Sequence, residues 1–216
     1  WIPPSIKNKQ IDDMGYAPFD HYDLGDKYQK GFLGTKLGDK DELLRMVAVF
    51  KANGIDVIQD IVLNHITGAG SVTGNGGRDP AALDDGSTDK FKNFRYVCFN
   101  SPALNSTAGN YTSRKGRFFK NWQNFYPNNG FNCCTDPINT PYWGPDISFE
   151  SSSFGQSSNC NYNPVQSQNH MRDGMRNWLM WYKKQVGWEG VRIDAIKHFP
   201  YYVVEDFLWN LQHGNG

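Results

Sequence analysis

The sequence predicts an α/β protein built on a parallel sheet, and three observations carry that prediction. Helical periodicity and short β-branched runs alternate as helix, strand, helix, strand, helix once a central stretch is set aside. Both strand-like runs end in polar, ionisable residues, as functional strands of such folds do at their carboxyl ends. The central stretch, residues 66 to about 164, has no long period and fills with Gly, Asn, Ser and scattered aromatics. A structureless connection in a compact domain rarely exceeds about 15 residues, so this stretch reads as a small irregular domain inserted after the first strand.

Taken in order, residues 1 to 38 are rich in turn formers and lack a helical period, which predicts a long surface loop. Asp39 followed three positions later by Glu42 has the form of a capping box, and Leu43, Val47 and Phe50 recur at helical spacing up to Gly54. The run Ile55 to Leu63 is mostly apolar and β-branched, the pattern of a parallel strand covered on both faces, and Asn64 and His65 stand where it ends. Helical spacing returns at Met171, Met175, Trp178, Leu179, Tyr182 and Val186, with Gly187 as the stop. A short strand over Gly190 to Ala195 follows, then a last helix marked by Phe207, Leu208 and Leu211. The expected organisation is 1–65 as loop, helix and strand, 66–164 as the insert, and 165–216 as helix, strand and helix.

Composition excludes whole classes of function. With 22 Lys+Arg against 22 Asp+Glu among 216 residues, there is no basic surplus to hold a nucleic acid. The 7 Trp, 11 Tyr and 14 Phe supply enough apolar bulk for a folded core. No run reaches the roughly 20 apolar residues of a membrane span. The chain opens at Trp1-Ile2-Pro3-Pro4 without an initiator Met, and so reads as part of something longer. Cys98, Cys133, Cys134 and Cys160 all fall in the insert, show no CxxC spacing and allow three disulfide pairings. That argues against a metal–thiolate site and leaves the compartment open between an exported protein with disulfides and a cytosolic one with thiols.

The candidate chemistry sits at the strand ends. In the second strand Val191, Ile193 and Ala195 alternate with Arg192 and Asp194, so the period of two puts the guanidinium and the carboxylate on one face, about 7 Å apart along the strand. A neighbouring positive charge favours the charged carboxylate, which in a cleft can act as a nucleophile; the structural alternative is a plain ion pair. Asp60, Asn64 and His65 occupy the equivalent end of the first strand, where each alone would read as a turn or hydrogen-bonding residue.

Asp60-Ile61-Val62-Leu63-Asn64-His65 and Gly190-Val191-Arg192-Ile193-Asp194-Ala195-Ile196-Lys197-His198 resemble two signature segments of the α-amylase family of glycoside hydrolases. Gly15-Tyr16 through Asp23-Leu24-Gly25, with Gln29-Lys30-Gly31, resembles the loop after the second barrel strand of bacterial members. The resemblance spans nearly the whole chain and implies a partial (β/α)8 barrel, from the end of strand 2 to helix 4, with an irregular B-domain insertion after strand 3. It implies Asp194 as catalytic nucleophile with Arg192 as charge partner, and Tyr16, Asp60, His65, Lys197 and His198 as sugar-binding residues. It implies a structural calcium held by Asn64 and the His198 main-chain oxygen. Asp146 would stand in for an insert ligand that is missing from Ser158-Asn159-Cys160-Asn161-Tyr162-Asn163-Pro164. The substrate implied is starch or a maltooligosaccharide, and the location is outside the cell or at its surface.

A retaining glycosidase also needs a second carboxyl group, which the family takes from the next strand; Glu189 precedes its strand and Glu205 belongs to a helix, so neither fits. The expectation is therefore that these 216 residues alone hydrolyse nothing. Two other readings stand beside hydrolysis: a glucanotransferase of the same family, and a non-catalytic relative that keeps the barrel for binding.

Overall fold

A computed structural model of the chain describes residues 1–8, 10–28, 32–66, 147, 149, 169–198 and 200–214, with the backbone alone at Val97–Cys98 and Lys120–Asn121. The chain divides into two compact units, one of Trp1–Asn64 with Met175–Gly216 and the other of His65–Gly174. In chain order the elements are β1 (Lys7–Asn8), β2 (Pro18–Asp20), α1 (Lys40–Ala52), β3 (Ile58–Val62), β4 (Val97–Cys98), β5 (Lys120–Asn121), α2 (His170–Val186), β6 (Gly190–Asp194), a 3₁₀ turn (Ile196–His198) and α3 (Tyr201–His213).

The predicted alternation forms in the first unit. β3 and β6 pair in parallel, with Asp60 beside Arg192 and Val62 beside Asp194. Ile2 makes a further parallel bridge to Gln59, its N–H bonding the Ile58 carbonyl at 2.9 Å. The strands are an open parallel ribbon, and the described residues do not close a barrel. β3 is shorter than the run Ile55 to Leu63 predicts, because Ile55 is drawn back to close α1 through the Phe50 carbonyl.

Helix α1 starts where the sequence indicates: Asp39 accepts from the Glu42 N–H while the Glu42 side chain accepts from the Asp39 N–H, both at 2.9 Å. It buries Leu43 and Val47, one turn apart. All six periodic residues of α2 are buried. Trp178 stacks on Tyr182 with ring centres 5.4 Å apart and donates its indole N–H to the His21 carbonyl at 2.6 Å. Burying each such large apolar side chain stabilises by roughly 2 kcal/mol, which is how the amphipathic face holds the helix to the sheet. α3 buries Val203, Val204, Phe207 and Leu211; Leu208, predicted as part of the apolar stripe, is exposed instead. Arg176 and Asp206 tie α2 to α3 at 2.9 Å.

The prediction of a surface loop over residues 1 to 38 does not hold. β1 and β2 pair antiparallel, and Ser5, Ile6, Lys7, Asn8, Phe19, Asp20, His21, Tyr22, Asp23 and Leu24 are buried. Local polarity misleads here because the polar groups satisfy one another. Lys7 faces Asp23, and Asp23 Oδ1 accepts the N–H groups of Gly25, Asp26 and Lys27.

In the second unit β4 pairs with β5 in parallel, and Ile147 and Phe149 are buried. The cysteine side chains, Asp146 and the segment 158–164 lie outside the described residues.

Candidate active site

The parallel register sets the site. It places Asp60 of β3 directly beside Arg192 of β6, and the two-residue pleat repeat brings Asp194 to the same face as Arg192. Arg192 Nη1 carries two hydrogens and divides them, one to Asp60 Oδ2 at 2.7 Å and one to Asp194 Oδ1 at 2.9 Å. The two strand residues that stood about 7 Å apart along the backbone thus converge through their side chains.

The carboxylates differ in environment. The Asp60 side chain is 0% exposed, whereas that of Asp194 is 25% exposed. Asp60 Oδ2 takes three donors: Arg192, the Tyr16 hydroxyl at 2.7 Å and the Trp1 indole N–H at 3.3 Å. Its Oδ1 is buried and has no hydrogen-bond partner among the described residues. Arg192 is held more firmly protonated by its hydrogen bond to Asp60. Burial pushes the Tyr16 hydroxyl up to about 12, helped by the bond to Asp60, so it stays a donor at any physiological pH.

Tyr16 is positioned by the β1–β2 hairpin. Asn8 Oδ1 accepts the Ala17 N–H at 2.9 Å, and Gly15 has φ +103 with Pro4 so close that a Cβ would meet its carbonyl oxygen at 2.6 Å. Only glycine fits both demands, so the backbone on either side of Tyr16 is fixed.

The structure therefore gathers Tyr16, Asp60, Arg192 and Asp194 into one hydrogen-bonded group. Asn64 is buried at the end of β3, and His65, the next residue and the first of the second unit, is buried as well. Lys197 is exposed on the 3₁₀ turn, and His198 is buried there with its N–H on the Ala195 carbonyl at 2.9 Å. Trp1 is a site residue that the sequence reading missed. It bonds Asp60 and sets its ring 5.8 Å from the Arg192 guanidinium carbon, and no periodicity marks it.

Of the expected calcium ligands, Asn64 and the His198 main chain are neutral oxygen donors suited to calcium, but that ion takes about six or more oxygens. Among the described residues no three His, Cys, Asp or Glu side chains gather to hold a metal, and Asp146 is outside them. The described residues do not by themselves make a calcium site. A cavity of about 540 Å³ lies beside α1, walled by Ile2, Leu24, Leu43 and Met46 among others; none of the four clustered polar residues lines it, so it is not where this chemistry sits.

No family model matches the chain. Over its whole length the chain is 28% identical to the glucan 1,4-α-maltohexaosidase of Bacillus sp. strain 707 and 25% identical to the α-amylase of Bacillus licheniformis. Over 98% of its length it is 26% identical to the cytoplasmic α-amylase of Escherichia coli K12. It spans 42%, 42% and 43% of those proteins, less than half of each. Among solved structures, an α-amylase from Malbranchea cinnamomea matches 98% of this chain and 34% of its own at a TM-score of 0.53 and 17% identity, a likeness of fold alone. The chain is therefore similar over its whole length to part of several α-amylases and a related glucan hydrolase, and the strands that carry this similarity hold the clustered Asp60, Arg192 and Asp194 at their ends.

Proposed function

We propose that the protein to which this chain belongs hydrolyses α-1,4-glucosidic bonds of starch-like glucans with retention, with Asp194 as nucleophile. The observation that supports this reading most is the shared Arg192 nitrogen. It fixes Asp194 Oδ1 at 2.9 Å and leaves Oδ2 without a partner among the described residues, on a side chain still open to solvent. Asp194 Oδ2 attacks the anomeric carbon, the carbon–oxygen bond to the leaving sugar breaks, and a carboxylic acid gives its proton to that oxygen. Water then attacks the glycosyl-Asp194 ester, losing its proton to the same carboxylate and freeing Asp194.

That acid must stand about 5 to 5.5 Å from the nucleophile. Four described acids do not suit the role: Asp60 is buried under three donors, Glu189 lies at the other end of β6, Glu205 is exposed on α3, and Asp206 is paired with Arg176. We assign the proton donor to a carboxyl group other than these four, and propose that the 216 residues alone cleave no glucan. Tyr16 offers its ring to a sugar while Asp60 steadies its hydroxyl, so the buried Asp60 works through Tyr16 and Arg192. Lys197, His65 and His198 are the other proposed sugar contacts. Asn64 and the His198 main-chain oxygen would supply two ligands to a structural calcium whose other ligands come from elsewhere, and such an ion would brace the strand ends.

The test is Asp194→Asn in the protein as its gene encodes it. Turnover of maltooligosaccharides should fall by about a thousandfold or more while their binding persists. Near-normal turnover in that variant, or starch cleavage by residues 1–216 alone, would refute the assignment. Linear products with the α-anomer retained support hydrolysis, whereas cyclic or rearranged glucans would make the protein a glucanotransferase.

A further inference from the structure

Lys7 is a fully buried cation that the proposed reaction does not use. Its side chain and that of Asp23 are both 0% exposed, 3.6 Å apart. Its ammonium donates to the carbonyls of Phe32 and Gly34, each at 3.2 Å, and to that of Leu33. The Phe32 ring lies 4.5 Å from the nitrogen. Three carbonyl dipoles, a carboxylate and an aromatic face thus converge on one point from chain segments 16 to 27 residues away in sequence. Burial pulls the Lys7 ammonium below its usual range, and Asp23 opposes that pull.

We infer that Lys7 is a positioning residue whose ammonium is the tethered cation of an oxygen cage, and that the cage holds Asp23 and Phe32–Gly34 against the hairpin presenting Tyr16. The link is short. Lys7 lies in β1 opposite Asp20, and its neighbour Asn8 binds the Ala17 N–H next to Tyr16. On the other side, Asp23 Oδ1 pins Gly25, Asp26 and Lys27 while its Oδ2 faces the ammonium. Without a cation, the oxygens of the cage would face one another across a desolvated gap, and the loop would open to let water in. The dimensions that admit an ammonium head also suit ammonium or potassium ions, and they are too small for tetramethylammonium. The effect on catalysis rests on the amylase reading of Tyr16; the cage itself does not.

The test replaces only the head group. Lys7→Met keeps an unbranched apolar stem, one atom shorter, and removes the nitrogen. In the full protein it should lower Tm and raise KM for maltooligosaccharides by about fivefold or more, with kcat little changed. Ammonium or potassium chloride should restore both quantities in the variant, while tetramethylammonium chloride at equal ionic strength should not; the parent should respond alike to all three salts. Equal restoration by all three, or a variant indistinguishable from the parent, would overturn the inference. If Lys7→Met does not fold, the pair Lys7→Met with Asp23→Asn removes the unpaired charge. A raised KM in a folded double variant supports the cage, and a normal KM shows that Lys7 only neutralises Asp23. Should Tyr16→Ala leave KM unchanged, the amylase reading of Tyr16 fails while the salt selectivity of Tm still decides the cage.

Discussion

At the carboxyl end of the β3–β6 pair, Arg192 divides one nitrogen between a buried carboxylate and a half-open one; at the amino end, Lys51 meets Glu189 at 2.6 Å with side chains 46% and 32% exposed. There the Glu189 carboxylate is fully engaged. Glu189 Oε1 holds Lys51, its Oε2 accepts the Val57 N–H at 2.9 Å, and its own N–H returns to the Val57 carbonyl at 3.0 Å. The carboxyl end is left with unused capacity, since Asp60 Oδ1 and Asp194 Oδ2 have no partner among the described residues. Backbone strain follows the same division. Where the chain needs a left-handed residue before β6 it uses Gly187, φ +79, but immediately after Asp194 it forces Ala195 to φ +53. An alanine held there costs about 1 to 2 kcal/mol. The amino end engages its carboxylate fully, and the carboxyl end keeps open carboxylate oxygens and strain where substrate would meet it.

The sharpest way to break that contrast is Asp60→Asn. If Asp60 exists to aim Arg192 and Tyr16, the variant keeps its shape, loses the charge between three donors, and drops kcat/KM by about a hundredfold with a Tm loss of only a few degrees. A change in Tm with no change in kcat/KM would make the carboxyl end as purely structural as the amino end. A smaller effect is expected at Ala195. A β-branched side chain tolerates a positive φ poorly, so Ala195→Val should lower stability by about 2 kcal/mol in urea unfolding and displace Asp194 enough to slow turnover. Unaltered turnover would separate the strain from the chemistry.

The legible parts of the molecule were those governed by short-range rules. The capping box at Asp39, the six-residue apolar stripe of α2 and the period of two in β6 each depend on neighbours within a few positions, and each appears as read. Arg192 and Asp194 share a face for the same reason. What stayed hidden depends on partners far apart in sequence. Lys7 is buried because of residues 23 to 34, Ser5 because its hydroxyl meets Tyr182 at 2.5 Å and Gln59 at 3.1 Å, and Trp1 enters the site through Asp60. A polar stretch whose groups satisfy one another looks the same in sequence as one that water satisfies, which is why residues 1 to 38 read as surface. Asp60 shows in the sequence as a charged strand-end residue, but its link to Tyr16 does not, since no spacing joins residues 44 positions apart, and Tyr16 is recognised through family resemblance.

The smallest predicted effect tests the amino end. Glu189→Gln keeps an oxygen for the Val57 N–H and removes the charge facing Lys51. The hydrogen bond from Lys51, and then that from Val57, hold the Glu189 carboxyl below its ordinary value of 4.5, so the folded state favours the ionised form more than the unfolded chain does. A lowered pKa gives stability that is complete above about 4.5 and fades as the pH falls through the folded value. The pair is well exposed, which limits its worth to about 0.5 kcal/mol. Urea unfolding of parent and variant should therefore differ by about that amount at neutral pH and converge in acid, with kcat/KM equal throughout. A variant as stable as its parent at neutral pH would show that the Val57 hydrogen bond, and not the charge, secures this end. A variant with reduced kcat/KM would show that the two ends of the ribbon are coupled.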